Sequence, residues 1–400
     1  MFDGVEAAPP VKVFQLTADF KACTGPNKVN LGVGAYQTNE GKPYVLKVVK
    51  EAEQRISKDF TLTHEYLPID GLAAFTDAST AVMFGKESPL VVNRKYIAVQ
   101  CLGGTGALRL CSEFMFQCLK RSVAYVSKPT WPNHNAILKT AGITDVRSYR
   151  YWDPNTKSVD FQGMVEDLKG VPEYAVIFLH AVAHNPTGMD LSTEQWQEIL
   201  DILIKRNATI VMDTAYQGFA SGDLDKDAAS VRMLADKGVE FFVCQSMSKN
   251  FGLYNERVGN MIAVIHNADK VEAVRSQLKR IVRANWSNPP SHGALVVATI
   301  LNDETLAQQW RLELMEMAGR IKDMRQLLYE KLQVHQITWP HVINQTGMFS
   351  FTGLNPAQVK FLRDEYDVFL MEDGRVNMCA FTTSNAQYIA DAIAAAVNKA

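Results

Sequence analysis

The sequence predicts an α/β protein: a large domain with a mostly parallel central sheet flanked by helices, and a smaller α/β domain. Three observations predict it. Short runs rich in Val, Ile and Phe recur between about Tyr96 and Ile265, they are apolar almost continuously, and helical stretches separate them. Strands buried on both faces read in this way, and strands alternating with helices build a helix-covered sheet. The chain has 400 residues, more than a single core usually supports, so two domains are expected.

In chain order, the N-terminal "MFDGVEAAPPVKVFQLTADF" has no apolar signal core, and its acidic residues argue against a transit peptide. The expected strands are "YIAVQ", "VAYVS", "AVIFLH", "ATIVMD", "FFVCQS" and "NMIAVI". Among the helices, "STEQWQEILDILIKR" opens with a capping-box pattern, Ser192 and Gln195, and then repeats apolar residues at helical spacing. After "SNPPSHG" comes a long amphipathic stretch, roughly Leu306 to Leu332, and the chain closes on a helical "NAQYIADAIAAAVNKA". The large domain is expected over residues 47–311. The small one is expected from residues 1–46 together with 312–400.

Bulk properties narrow the partners. Hydrophobic residues are 47% and charged residues 21%, the net charge is −2 and the isoelectric point is near 6.5. Such a chain has no electrostatic footprint for nucleic acid or an anionic membrane, and no window is long and apolar enough to span a bilayer. The six cysteines (Cys23, Cys101, Cys111, Cys118, Cys244, Cys379) show neither C-x-x-C nor zinc spacing. They read as reduced, buried thiols of an intracellular protein with no metal site; a cytoplasmic protein is expected, and a mature organellar form without its leader would read the same way. A small-molecule partner is the expectation.

Ligands of open α/β sheets bind beyond the carboxyl ends of the strands. The segments following the expected strands are "CLGGTGALR", "KPTWPNHN", "AVAHNPTG", "DTAYQGF" and "SMSKNFGLYNER". Gly103, Gly104, Thr105 and Gly106 would let backbone N–H groups approach a phosphate at a helix N-terminus, although a plain tight turn uses glycines too. A dinucleotide site fails in detail, because the third glycine of G-x-G-x-x-G would be Arg109 and no acidic residue follows the next strand. Asp213 ends an apolar strand and needs a cationic partner there, structural or functional. Lys249 follows a β-rich run with Ser246, Ser248 and Arg257 nearby. Most loop lysines are merely solvated. A desolvated lysine in a cationic setting has a depressed pKa and becomes a nucleophile toward aldehydes. Lysine, buried carboxylate and phosphate cup together match the demands of pyridoxal 5′-phosphate.

The segments "LGVGAYQ", "HEYLPIDGL", "GGTGALR", "PTWPNHNAI", "HNPTG", "DTAYQGFASGDL", "SMSKNFGLYNERVGN", "RANWSNPPSHGA", "TGMFSFTGLNP" and "GRVNMCAFTT" occur in order over nearly the whole chain. Together they resemble the aspartate aminotransferases of the animal cytosolic type, class I pyridoxal-phosphate enzymes of fold type I. The resemblance implies reversible transamination between L-aspartate and 2-oxoglutarate, giving oxaloacetate and L-glutamate, in a ping-pong cycle. It implies Lys249 as the Schiff-base lysine and proton shuttle. Asp213 would hold the pyridinium proton with His134 behind it, Asn185 and Tyr216 would bond the phenolic oxygen, and Trp131 would stack on the ring. Gly104, Thr105, Ser246 and Arg257 would bind the phosphate. Tyr66 and Arg283 would act across a homodimer interface, Tyr66 on the phosphate and Arg283 on the substrate's side-chain carboxylate. Arg375 would grip the α-carboxylate. Val33 and Gly34 would line the substrate site, with Phe349 nearby.

Gln37, Lys47 and Pro132 depart from residues usual in that family and bear on domain closure. The rival within the same chemistry is an aromatic or broad-range aminotransferase, separated by what is accepted where Arg283 sits. A pyridoxal-phosphate lyase or decarboxylase fits two substrate-binding arginines less well. A non-catalytic binding protein on the same fold would be expected to have lost Lys249, Asp213 or Arg375.

Overall fold

A computed structural model describes residues 1–399. Its contacts divide the chain into two compact units, Tyr44–Gly319 and, apart from it, Met1–Pro43 with the chain from Arg320 onward. The second division falls inside one long helix, Glu304–Val334, where no loop or proline marks it in the sequence.

The Tyr44–Gly319 unit is built on a seven-stranded sheet. In chain order its strands are β1 Tyr96–Leu102, β2 Val123–Lys128, β3 Asp145–Arg150, β4 Val176–His180, β5 Thr209–Thr214, β6 Phe242–Ser246 and β7 Val258–Val264. Across the sheet they run β1-β7-β6-β5-β4-β2-β3. All pairs are parallel except those of β7, which lies antiparallel to both β1 and β6. Successive side chains point to opposite faces: Ile177, Leu179, Ile210, Met212 and Val243 enter one core, and Val176, Phe178, Val211, Phe242 and Cys244 the other. This two-sided burial is why these strands read as continuous apolar runs. Helices cover both cores, among them Gly103–Gln117 and Thr193–Lys205. The capping box is present: the Ser192 hydroxyl accepts from Gln195 N–H, and the Gln195 side chain accepts from Ser192 N–H.

The order of parallel strands leaves every β-to-loop exit of β1, β2, β4, β5 and β6 on one edge of the sheet. Because β7 runs the other way, its first residue starts from that same edge. The chain therefore leaves at Ser246 and re-enters at Val258, with Met247 N–H donating to the Val258 carbonyl at 3.0 Å.

The smaller unit carries two short pairings, Val29–Asn30 with Val368–Phe369 in parallel and Phe349–Phe351 with Arg375–Asn377 antiparallel. Two-stranded ribbons are marginal by themselves. Here the Ala386–Lys399 helix buries Ile389, Ala390 and Ile393, and the Pro356–Tyr366 helix, opened by an Asn355–Gln358 capping box, buries Val359 and Leu362. Among the described residues no helix is long and apolar enough to cross a membrane, no group of side chains could hold a metal ion, and all six cysteines are free.

Candidate active site

The strand-end edge gathers most of the residues singled out in the sequence. At its anionic-ligand end the Gly103–Gln117 helix begins directly after β1, so its first N–H groups and its dipole face the edge. Gly103 has φ +70°, and a Cβ there would lie 2.7 Å from the Arg257 guanidinium. A Cβ on Gly104 would lie 2.9 Å from Ser246 Cβ. Only glycine lets the helix start sit against both. Ser246 Oγ accepts the Ser248 N–H at 3.3 Å, and Thr105 stands on the first turn. Arg257 is solvent-accessible, has φ +53°, and donates to the Tyr254 carbonyl at 2.8 Å. Helix N–H groups, hydroxyls and a guanidinium around a cradle that a single methyl would fill are the donor set of a phosphate site.

Lys249 follows β6 in a turn closed by Gly252 N–H to the Lys249 carbonyl at 3.0 Å. Its neighbours are pinned: Phe251 stacks on Trp310 at 4.3 Å, and the Trp310 indole donates to the Asn250 carbonyl at 2.7 Å. The ammonium stands 4.9 Å from the Tyr216 ring centroid. Part of the side chain reaches the surface, yet the ammonium is stripped of most of its water. Burial lowers its pKa to about 8; Asp213 opposes the shift and Arg257 adds to it. An ordinary lysine titrates near 10.4. The neutral amine is the nucleophile, so reaction of the apo-protein with an aldehyde such as pyridoxal phosphate should speed up as pH rises and level off just above pH 8. A rate still climbing at pH 10, followed by absorbance, would mean that Lys249 is an ordinary lysine.

Asp213 lies in β5 and is buried. Burial pushes its carboxyl upward, but a 3.0 Å hydrogen bond from His134 Nε2 and nearby positive charge, that of Lys249 included, outweigh it, leaving the pKa below the usual value. His134 is fully buried on the Asn133–Thr140 helix and packs edge-on against Trp131 at 5.3 Å.

Behind it stand groups that sequence reasoning did not single out. Asn185 N–H donates to His180 Nδ1 at 3.3 Å, His180 Nε2 lies 3.1 Å from Thr130 Oγ1, and Thr130 Oγ1 lies 2.8 Å from His134 Nδ1. Burial, with the nearby His134, pushes His180 down to about 3, so its ring is neutral. Its Nδ1 accepts, so its Nε2–H must donate to Thr130; the Thr130 hydroxyl then donates to His134 Nδ1, and His134 Nε2–H points at Asp213. The adjacent His184, also driven well down by burial, spans Ser127 and Thr187 at 2.8 Å each and stacks on Tyr151 at 3.9 Å. The paired histidines flanking "AVA" were the available signal, but isolated buried histidines are more often structural.

Asn185 and Tyr216 are both buried at this edge. The loop after Tyr216 is held by Asp227, whose carboxylate accepts N–H groups from Gly218, Ala220 and Ser221 at 2.8–3.1 Å. Tyr66 and Arg283 are not part of this cluster. Tyr66 is 81% exposed, Arg283 is exposed and bonds Ser287 and Asn288, and among the described residues neither hydrogen-bonds to a cluster member.

In the smaller unit, Arg375 begins the Arg375–Asn377 strand and is buried, its guanidinium 4.3 Å from the Phe349 ring centroid. Gly34 is exposed, and Val33 is held through its carbonyl by Asn377 Nδ2. Gln37 offers its carbonyl to Arg320 at 3.0 Å. In the larger unit, Lys47 caps onto Glu313 through its N–H at 2.6 Å, and Pro132 precedes the His134 helix.

A helix-covered, mostly parallel sheet with a half-buried lysine and a buried carboxylate at its strand-end edge fits a group-transfer enzyme, and the chain belongs to the class I and II aminotransferases. The family model for aminotransferase class I and II matches residues 26–393. The chain is 48% identical to the cytoplasmic aspartate aminotransferase of Gallus gallus, over 100% of this chain and 98% of that one. The solved aspartate aminotransferase from Saccharomyces cerevisiae cytoplasm superposes with a TM-score of 0.97 at 40% identity, covering 100% of this chain and 99% of the other. An aromatic-amino-acid aminotransferase from Burkholderia pseudomallei, covalently bound to pyridoxal phosphate, gives 0.96 at 39% identity and 99% coverage of each.

Proposed function

We propose that this chain is a pyridoxal 5′-phosphate-dependent aspartate aminotransferase, moving the α-amino group between L-aspartate and 2-oxoglutarate to give oxaloacetate and L-glutamate in a ping-pong cycle. It works as a homodimer in the cytoplasm, the compartment named for its curated relative from Gallus gallus. The observation that carries the reading is the pairing of Lys249, with its pKa lowered to about 8, and Asp213, held ionised, at one strand-end edge.

The residues divide the work by their chemistry. Gly104, Thr105, Ser246 and Arg257 hold the cofactor phosphate with N–H, hydroxyl and guanidinium donors. Tyr66 adds a hydroxyl to the phosphate of the neighbouring subunit. Trp131 presents a flat apolar face to the ring, Asn185 and Tyr216 donate to its phenolic oxygen, and Asp213 keeps a proton on its nitrogen with His134 in support. When bound, the cofactor supplies the carbonyl carbon that takes up the amino group and an electron-withdrawing ring. Lys249 would hold the cofactor through its Nζ and, once the incoming substrate amine has displaced it, would take the proton from the substrate Cα and return it to the neighbouring carbon of the cofactor. A neutral amine is needed for the first transfer, and the depressed pKa makes it available from about pH 8 rather than above pH 10. Arg375 binds the α-carboxylate through its two-pronged fork, with Gly34 leaving backbone room for the substrate. Arg283 binds the side-chain carboxylate in the neighbouring subunit and so selects dicarboxylic substrates.

The test is a half-reaction titration of the purified holoenzyme with single amino acids, followed by the visible absorbance of the bound cofactor. Aspartate and glutamate should bleach it at concentrations at least about a hundredfold lower than alanine or tyrosine, as expected for one buried charge-assisted pair. A preference for tyrosine would keep the cofactor chemistry and give the site to an aromatic aminotransferase. A protein that takes up no cofactor would end the reading.

A further inference from the structure

Gln100 lies in β1 with 1% of its surface exposed, and its side chain joins two separate segments. Its amide oxygen accepts the Leu72 N–H at 3.0 Å, and its amide nitrogen donates to the Pro290 carbonyl at 2.7 Å. Its own N–H donates to the Asp70 carbonyl at 2.9 Å. Gly71, at φ +97°, lies flush against it, since a Cβ there would fall 2.2 Å from Gln100 Cβ. Leu72 closes the stretch that carries Tyr66, and Pro290 closes the stretch that carries Arg283. The same two stretches meet again where Asn288 donates to the Leu67 carbonyl at 2.8 Å and Lys279 pairs with Asp70 at 3.1 Å.

A buried amide with donor and acceptor both committed holds its partners in a fixed offset, because slipping either leaves a buried polar group unpaired. Tyr66 and Arg283 are both exposed, and the Arg283 side chain bonds Ser287 and Asn288 on its own stretch, so the offset between the two stretches falls to the buried contacts beneath them. We infer that Gln100 is a positioning residue for the active site of the neighbouring subunit: it locks the Tyr66 and Arg283 segments into one rigid patch, so that phosphate and distal-carboxylate contacts are delivered at a set spacing. The inference rests on the proposed dimer, in which these two side chains serve the other subunit.

Mixed dimers of two differently tagged chains test it. In a dimer with one Lys249→Ala chain, the only working site uses Lys249 of the other chain and receives Tyr66 and Arg283 from the Lys249→Ala chain. Gln100→Met on the Lys249→Ala chain should lower kcat/KM for aspartate about tenfold, mostly through KM, as expected for two lost buried hydrogen bonds that act on ligand placement. The same change on the chain that supplies Lys249 should leave kcat/KM within about twofold. Gln100→Glu, which keeps the acceptor for Leu72 and loses the donor to Pro290, should show the same order if Gln100→Met fails to fold. Equal losses in both arrangements, no loss in either, or a loss confined to the Lys249-bearing chain would overturn the inference. Arg283→Ala in the same two placements separates the causes. If it shows no asymmetry, the shared-site reading fails and the role of Gln100 falls with it; if it does and Gln100→Met does not, only the Gln100 inference fails.

Discussion

Lys249→Ala is expected to lower kcat by at least about 10⁴-fold, the upper range for removing one positioned acid–base group, while leaving a folded dimer. The turn that carries Lys249 is fixed by Phe251 on Trp310 and by the indole bond to Asn250, and neither contact involves the lysine side chain. Losing the ammonium therefore removes chemistry without loosening its scaffold. It also removes the charge that sits 4.9 Å from the Tyr216 ring. The check is steady-state turnover beside circular dichroism and light scattering on the same sample. Turnover within tenfold of the unmodified protein would remove Lys249 from the mechanism.

Asp213→Asn is the second large effect, expected to lower kcat by about 10³-fold, the scale of losing a preorganised electrostatic contact. The amide nearly matches the carboxylate in shape, so the β5 strand and its core should hold. What changes is the charge. The ionised carboxylate survives burial because His134 and Lys249 favour it, and an amide cannot keep a proton on a neighbouring ring nitrogen. His134 would then face a group able to donate as well as accept, and the ordered run from Asn185 through His180 and Thr130 would lose its terminus. Single-turnover rates with aspartate, measured at saturating pyridoxal phosphate, separate this from weaker cofactor binding. An unchanged rate there would leave Asp213 as a structural ion-pair partner only.

Strands buried on both faces were legible because burial writes itself as an unbroken apolar run; "ATIVMD" and "FFVCQS" match β5 and β6 within a residue at each end. The edge strand β3, "DVRSYR", was not legible. It is charged and largely exposed, with Tyr149 alone fully buried, so its place in the sheet follows from pairing with β2 and leaves no continuous apolar run. The antiparallel direction of β7 was equally silent, since direction is set by the connection and both faces are buried either way. In the site, Lys249, Ser246 and Arg257 drew notice by local conflict: polar and cationic groups on the end of an apolar strand. Arg283, Tyr66 and Arg375 carry no such conflict, and only the resemblance to a family singled them out. Gln100 and the His180–Thr130 contact were missed because they join segments 28 to 190 residues apart, which no local window contains.

The reversed strand β7 has an entropic consequence. A parallel partner for β6 would require a crossover of a dozen or more residues on the far side of the sheet. Instead, residues 247–257 form a single return loop, closed where Gly259 pairs with Ser246. Closing a loop this short costs little entropy, and antiparallel hairpins form in about 1–10 μs. Lys249 and Arg257 are thus carried to the same edge by one short connection, whereas Asp213 sits in a strand joined to its parallel neighbours by crossovers over residues 181–208 and 215–241. The cationic half of the site therefore rests on the connection with the lowest closure entropy, and its carboxylate half on the longer ones.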